Sequence, residues 1–183
     1  MKITILNGEN KSDSGKFTEY IGNIADALKE NHSVDVFNLR EMNLKFCTGC
    51  WSCWWKTPGE CASKDDAEPI FRSVINTDLL IFSSPITAGF TSSELKKITD
   101  RLIVLIHPYI QIREDECHHQ KRYEKYPDMG LILEKNTDTD DEDLKIISDI
   151  YDRLSKNFDV TKRFVFLKDQ QSIKEIANEI TNY

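Results

Sequence analysis

Residues 79–85 read LLIFSSP, and this stretch indicates the fold more clearly than any other in the chain. Four apolar residues without a polar interruption are typical of a parallel strand that is buried on both faces, and Ser83-Ser84-Pro85 ends the run with a loop. Such strands belong to α/β folds, because helices must cover both faces of the sheet. The sequence on either side should therefore alternate between strands and helices.

Strands and helices do alternate along the chain. The predicted strands are 2–6, 34–37, 79–82, 129–133 and 164–167. The predicted helices, which carry apolar residues at helical spacing, are 17–28, 65–75, 91–106, 142–158 and 173–180. Five such pairs predict a three-layer α/β fold, in which right-handed crossovers build a doubly wound five-stranded parallel sheet in the flavodoxin-like order 2-1-3-4-5. Ligands of these sheets bind at the carboxyl ends of the strands.

The composition limits the number of domains and the kinds of partner that we expect. The chain has 183 residues, which suits one domain, and we expect that domain to span residues 1–183. A formal net charge of -7 argues against nucleic acid and anionic membranes as partners, because both attract clustered Lys and Arg. No apolar stretch approaches the roughly 20 residues of a membrane span, and Met1 runs into a predicted strand rather than a signal peptide. We expect a cytoplasmic protein with small-molecule or protein partners.

The loop between the first strand and the first helix is a candidate phosphate site. Backbone N–H groups and the helix dipole attract an anion at such a position. The residues that we predict to contact the phosphate are Asn10, Ser12, Ser14, Gly15 and Lys16. The same residue types occur in solvated turns and N-caps, so this loop alone leaves a plain turn equally open.

In the predicted topology, the loop after the central strand lies next to the loop between the first strand and the first helix. Its backbone amides and small side chains could contact a bound ring system. The residues that we predict to do so are Ser84, Pro85, Ile86, Thr87, Ala88 and Gly89. A tight strand-to-helix connection would explain the same sequence without a ligand.

Four cysteines cluster after the second predicted strand. Cys47, Cys50 and Cys53 are spaced by two-residue gaps, and Cys61 follows after a Pro58-Gly59 turn. In a reducing cytoplasm such cysteines are more plausibly thiols or metal ligands than disulfides. Successive two-residue gaps suit three corners of a cubane cluster better than zinc, whose ligand pairs usually come from separated segments. A four-iron four-sulfur cluster and a set of reduced thiols in a buried loop both remain open.

Three tryptophans accompany the cysteines. Trp51, Trp54 and Trp55 could shield a cluster from water and so tune its potential. Neighbouring tryptophans more often pack a core or a subunit interface, and that interpretation is the safer one.

A polar, aromatic-rich insertion at about 107–128 interrupts the alternation. It is too long for an idle connector. It contains a group of side chains that could form a second metal site, namely Glu114, Glu116, Cys117, His118 and His119. Adjacent histidines rarely point the same way on a regular element, so a solvated charged loop is favoured.

Several motifs in the right order resemble one family. Residues 46–53, 59–61 and 65–66 (FCTGCWSC, GEC, DD), followed by 84–86 and 95–101 (SPI, LKKITDR), resemble the NADPH-dependent FMN reductase and iron-sulfur flavoprotein branch of the flavodoxin-like superfamily. The resemblance implies FMN, held by its phosphate at the first loop and by its isoalloxazine ring at residues 84–89, with NADPH or NADH as hydride donor. It also implies Cys47, Cys50, Cys53 and Cys61 as cluster ligands, and dimers or tetramers with the site near a subunit interface.

Four places in the chain depart from the pattern of that family. Residues 7–10 read NGEN where GSPR is usual, which removes an Arg and introduces a carboxylate where the phosphate should sit. Phe17 replaces a hydroxyl residue near the start of the helix, and Thr87 replaces an aromatic residue. Residues 134–140 read EKNTDTD where a glycine-containing loop usually meets the flavin. This last departure predicts weaker ring binding on that side, or a contribution from the insertion.

The predicted function is that of an FMN-dependent NAD(P)H oxidoreductase or electron-transfer flavoprotein, with a small-molecule or protein electron acceptor. The cofactor supplies the chemistry, so no side chain needs to act as acid or base. One alternative is a flavodoxin-like electron carrier without catalytic turnover. Another is a metal or redox sensor that uses the cysteines and residues 117–119, with a decayed flavin site.

Overall fold

The computed structural model describes residues 1–113, 115–168 and 170–182. The strands are β1 (Lys2–Asn7), β2 (Ser33–Asn38), β3 (Leu79–Thr87), β4 (Phe90–Thr91), β5 (Ile106–Arg113), β6 (Glu116–Lys121), β7 (Asp128–Glu134) and β8 (Lys162–Leu167). The α-helices are α1 (Lys16–Lys29), α2 (Ser52–Trp55), α3 (Ala67–Ile75), α4 (Ser93–Arg101), α5 (Asp141–Phe158) and α6 (Ile173–Thr181). Two 3₁₀ segments cover Leu39–Glu41 and Leu102–Leu105, so the predicted helix 91–106 is α-helical only to Arg101.

The central sheet is parallel and has the strand order β2-β1-β3-β7-β8. Counted along the chain, these five strands are in the order 2-1-3-4-5, so the predicted topology is confirmed. The short β4 pairs antiparallel with the end of β3. Because β1, β3 and β7 are neighbours, the loops that follow them meet at one edge of the sheet.

Helices cover both faces of the sheet, as the apolar run in β3 predicted. Leu79 and Ile81 contribute to one buried cluster, into which α1 and α6 pack. Leu80 and Phe82 point to the other cluster, which contains residues of α3, α4 and α5. Adjacent residues of a strand face opposite sides of the sheet, so β3 is buried on both sides.

Among the described helices, α4, α5 and α6 begin with a side-chain cap, whereas α1, α2 and α3 do not. Asp140 and Asp143 form a capping box at the start of α5, and the Ser92 hydroxyl caps α4. At α3 the N-cap residue Asp66 makes no side-chain cap. The Asp65 carboxylate instead accepts a hydrogen bond from Ala67 N at 3.3 Å.

The predicted insertion contains an antiparallel hairpin of β5 and β6, in which Ile112 pairs with Cys117. A solvated loop is therefore the wrong interpretation for residues 116–121, while Glu114 lies outside the described residues. The two histidines diverge as expected: a His118 ring nitrogen lies 3.1 Å from Glu116 Oε2, whereas the His119 ring lies 5.2 Å from that of Trp54.

Within the part of the chain that the structure describes, no helix combines the length and the apolar character that a membrane span requires.

Candidate functional site

The loops after β1 and β7 and the last residues of β3 enclose a cleft of about 300 Å³. The loop predicted at residues 83–85 is wrong, because β3 continues to Thr87 and pairs there with β4. The cleft lies at the carboxyl edge of the sheet, where ligands of this architecture bind. Its walls are Glu9, Asp13, Ser14, Lys16, Phe17, Pro85, Ile86, Thr87, Glu134, Lys135 and Asn136. Five residues predicted to contact a cofactor line this cleft together: Ser14, Lys16, Pro85, Ile86 and Thr87.

The other predicted contact residues lie around the cleft without lining it. Asn10 N donates to Asp13 Oδ2 at 3.1 Å, and Ser12 is exposed. Ser84 is buried, and its hydroxyl oxygen accepts a hydrogen bond from Ser92 N at 2.9 Å. Ala88 and Gly89, with φ of 50° and 73°, form the turn between β3 and β4.

Gly15, the remaining predicted residue, is the N-cap of α1 and has a φ of 86°. Glycine adopts this left-handed conformation without steric cost, which lets the loop turn sharply into the helix. Its N–H points to the side chain of Glu9.

Glu9 occupies the N-terminus of α1. Its side chain is only 2% exposed. Oε1 accepts a hydrogen bond from Gly15 N at 2.9 Å, and Oε2 accepts one from Thr18 N at 2.9 Å. The Thr18 hydroxyl also donates to Oε2, and Arg40 Nη1 lies 3.2 Å from the same oxygen. Two backbone amides, a hydroxyl and a guanidinium therefore surround one carboxylate.

The charge state of Glu9 follows from these contacts. Burial acts to raise the pKa of the carboxyl group, but the hydrogen bonds from Thr18 and Gly15 and the charge of Arg40 outweigh it. The net pKa lies below the ordinary value of 4.5. Glu9 is therefore a carboxylate at neutral pH.

Arg40 and Asn7 also stabilise the first loop, which we define as residues 8–15, and its junction with α1. Arg40 Nη2 donates to Lys11 O and Asp13 O, at 3.0 and 3.2 Å. Asn7 Nδ2 donates to Thr18 Oγ1 at 2.8 Å. Sequence reasoning missed Thr18 and Arg40. The hydroxyl of Thr18 in the first turn of α1 was an available signal, whereas Arg40 reaches the loop only because β2 lies beside β1.

The first loop also lies tightly against α4. Gly8 N donates to Ser83 O at 2.8 Å, and the Ser92 hydroxyl donates to Gly8 O. A Cβ atom on Gly8 would lie 2.6 Å from Leu95 Cβ. Only glycine fits here, because no real Cβ makes so short a contact.

The four clustered cysteines line a second, smaller cavity of about 60 Å³, beside Trp51, Arg101 and Ile103. Cys47 and Cys50 are exposed, Cys53 and Cys61 are half-buried, and all four are free thiols. The predicted gathering of the four thiols is thus present, but the alternative of a buried loop is wrong. Among the described residues, no group of three or more His, Cys, Asp or Glu side chains is arranged to hold a metal ion.

The thiols of this cysteine loop, defined as residues 47–61, differ in acidity. Hydrogen bonds from Ser52 hold the pKa of the Cys50 thiol below its ordinary value. Burial raises the pKa of the Cys53 thiol, and the neighbouring cysteines act in the same direction.

A buried ion pair anchors the cysteine loop. Arg101 Nη1 lies 2.6 Å from Asp65 Oδ2, and each of the two side chains is only 1% exposed. Burial acts to raise the pKa of Asp65, but Arg101 and the backbone hydrogen bonds from Lys45 and Ala67 together outweigh it, and the net pKa is lowered. Arg101 also donates to Lys45 O at 3.2 Å and approaches Cys61 Sγ at 3.4 Å. The guanidinium thus places positive charge beside one thiol.

The tryptophans have separate environments. Trp54 is half-buried, and its Nε1 lies 3.1 Å from both Ile103 O and Ile106 O. Trp51 and Trp55 are 57% and 67% exposed, so packing in the core of this chain is the wrong interpretation for these two.

The comparisons with known proteins agree with this architecture. A family model described as NADPH-dependent FMN reductase matches residues 1–121. The chain belongs to this family. Its sequence is 28% identical over 109 residues to an iron-sulfur flavoprotein of Clostridioides difficile, covering 58% of this chain and 48% of that protein. It is 31% identical over 85 residues to an iron-sulfur flavoprotein of Archaeoglobus fulgidus, covering 44% and 38%. The matched part thus spans half or less of the length of these relatives.

Solved structures of similar architecture include enzymes of this fold. An FMN-dependent NADH-azoreductase from Bacillus anthracis superposes with a TM-score of 0.64 at 12% identity, covering 98% of this chain and 94% of that one. An NAD(P)H:quinone oxidoreductase from Methanothermobacter marburgensis gives a TM-score of 0.60 at 16% identity, covering 97% and 93%. Identities this low show the fold, which is flavodoxin-like.

The described residues of this family member fit only part of an FMN molecule. The cleft volume lies at the lower end of the usual range for small-molecule sites, roughly 300–1,000 Å³, so it can take part of a ring system. The N-terminus of α1, where the phosphate would be expected, already holds the Glu9 carboxylate. The phosphate does not fit while Glu9 stays in place.

Proposed function

We propose that this chain is the flavodoxin-like part of a flavin-dependent oxidoreductase, which passes electrons from NADPH or NADH to a small-molecule or protein acceptor. One observation carries the proposal: the loops after β1 and β7 and the end of β3 meet at the carboxyl edge of the sheet and line one cleft. Membership of the FMN reductase family supports it. A bound flavin would supply the redox chemistry itself.

The residues of the cleft would bind and orient the ring. Pro85, Ile86 and Thr87 form the wall on the β3 side, and Lys16 and Lys135 bring positive charge to the rim. No side chain is needed as an acid or a base in this proposal. The protein would contribute binding, orientation and electrostatics.

We also propose that Cys47, Cys50, Cys53 and Cys61 hold an iron-sulfur cluster. Four thiols on one cavity match the ligand set of such clusters, and the Arg101 guanidinium beside Cys61 would offset part of the negative charge. The cavity is small and the thiols do not form a ligand geometry, so the exposed part of the loop would have to rearrange around the cluster.

The cleft and the cysteine cavity share no lining residue. We therefore propose a homodimer or homotetramer, in which the cysteine loop of one copy approaches the cleft of another. The exposed side chains of Phe46, Trp51 and Trp55 beside the thiols support this arrangement. The free thiols suit a reducing compartment such as the cytoplasm, which is our proposed location.

Anaerobic purification with measurement of the visible spectrum, iron and sulfide tests these proposals. We expect flavin absorption together with about four irons per chain. Cys53→Ser should lose the iron, whereas Cys117→Ser, which removes the exposed cysteine of the hairpin, should retain it. Flavin without iron would leave an FMN reductase with structural thiols. A colourless protein that binds neither FMN nor riboflavin would refute the flavin proposal.

A second candidate function is a metal or redox sensor with a decayed flavin site. The occupation of the α1 N-terminus by Glu9 favours it. In the hairpin, however, His118 is buried against Glu116 while Cys117 is exposed. These two residues of the predicted sensor site therefore do not face one common position. Metal bound without flavin would support the sensor.

A flavin-loaded protein that fails to oxidise NADH or NADPH would instead indicate an electron carrier without turnover.

A further inference from the structure

The start of α1 is a complete anion site that the chain fills by itself. Gly15 N, Thr18 N, the Thr18 hydroxyl and the Arg40 guanidinium all point to the Glu9 carboxylate. Amide donors at a helix N-terminus together with a guanidinium are the chemistry that binds phosphate in other proteins. The occupant here is a carboxylate of the same chain.

A phosphate group and the Glu9 carboxylate cannot share these donors. Both carboxylate oxygens are engaged, so a phosphate at hydrogen-bond distance from Gly15 N or Thr18 N would be in contact with a like charge. Moving Glu9 out would break its hydrogen bonds to α1 and its ion pair with Arg40, and the buried side chain is held by all of them. Charged hydrogen bonds of this kind contribute more than neutral ones.

The other charges of the cleft do not compensate for Glu9. Asp13 and Glu134 add two carboxyl groups to the walls, against the ammonium groups of Lys16 and Lys135. Glu134 is itself paired with Lys168. The walls therefore offer a dianionic phosphate no surplus of positive charge, because Arg40 and Lys168 are already paired with Glu9 and Glu134.

We propose that Glu9 is a built-in anion that selects the flavin by its tail, so that the cleft prefers riboflavin to FMN. The inference rests on the proposed function only in that a flavin ring enters the cleft. Riboflavin carries the same ring and ribityl chain as FMN but ends in a neutral hydroxyl, which can lie beside a carboxylate. Glu9 then acts as a specificity-determining residue.

The test compares riboflavin and FMN affinities by quenching of flavin fluorescence. Wild-type protein should bind riboflavin more tightly than FMN. Glu9→Ser should improve the affinity for FMN relative to riboflavin by about tenfold or more. Glu19→Gln is the matched control, because Glu19 is an exposed acid in the first turn of α1 that makes none of the contacts of Glu9, and the ratio should stay near that of wild type. Wild-type preference for FMN, or an equal change for both flavins in Glu9→Ser, would overturn the proposal.

A second measurement separates this inference from the proposed function. Inorganic phosphate should raise the melting temperature of Glu9→Ser, by filling the vacated site, but not that of wild type. Glu9→Asn, which is neutral and too short to fill the site, serves the same purpose if the serine variant folds poorly. If no flavin binds yet phosphate stabilises only the variants, the proposed function fails and the self-filled anion site stands. Equal stabilisation of wild type and variants, or of neither, would refute the site.

Discussion

The first loop and the cysteine loop are both held by a buried pair of a carboxylate and an arginine, but the two pairs have opposite effects. In the first loop, Glu9 turns onto the backbone amides of α1 and occupies the position predicted for the phosphate. At the cysteine loop, Asp65 binds Arg101 and the backbone of Lys45, and the thiols stay free to line their cavity. The same type of interaction thus closes one candidate site and supports the other.

The largest expected effect comes from breaking the pair at the cysteine loop. Asp65→Asn leaves Arg101 buried without its counter-charge, and the loss of such a partner costs about 3–5 kcal/mol. The free energy of unfolding, measured by urea denaturation, should fall by this amount. Asp66→Asn, at the exposed neighbouring carboxylate, is the control and should cost far less. Similar losses in both variants would show that the ion pair is not the anchor of the loop.

The Glu9–Arg40 pair in the first loop should make the free energy of unfolding depend on pH. The folded pKa of Glu9 is depressed, so its contribution to stability is fully present above the ordinary value of 4.5 and is lost as the pH falls through the lower folded pKa. We expect Glu9→Gln to be less stable than wild type by roughly 1–3 kcal/mol at pH 7. Urea denaturation across pH 7 to 3 should show this difference shrinking. A difference that is constant with pH would contradict the assigned charge.

The smallest expected effect tests the second attachment of the cysteine loop. Trp54→Phe keeps the aromatic ring but removes the Nε1 donor from Ile103 O and Ile106 O, at a cost of about 1 kcal/mol. Thiol-reagent kinetics should also show faster modification of Cys53. Trp55→Phe, at a more exposed ring, should leave both quantities near wild type, and a matching change there would rule out a specific role for Trp54.

Much of the fold could be predicted because its signals are local. The apolar run 79–82 and the helical spacing of residues such as Ile21 and Leu28 reflect burial that each segment undergoes in the final sheet. The hairpin could not be predicted in the same way. Residues 116–121 read ECHHQK, which lacks an apolar strand pattern, and β6 forms because it pairs with β5. Pairing with a partner strand overrides weak propensity here.

In the candidate site, too, local features could be predicted and contacts between distant segments could not. The loops at the strand ends and the gathering of four cysteines follow from topology and spacing. The sequence also marked Glu9 as unusual, but not the donors that it meets. Arg40 reaches the first loop, and Arg101 reaches Asp65, only through the folded sheet and its helices. Contacts between distant segments leave no trace in local spacing.

The contacts of Glu9 bear on the order in which the chain assembles. Its partners in α1, Gly15 and Thr18, are six and nine residues away, whereas Asp65 and Arg101 are separated by 36. Closing a short loop costs less entropy and takes about 10–100 ns for ten residues. We therefore expect the start of α1 to acquire protection early in refolding, and the cysteine loop only after α4 has docked. Pulse-labelling hydrogen exchange would read this order directly, and simultaneous protection of both regions would contradict it.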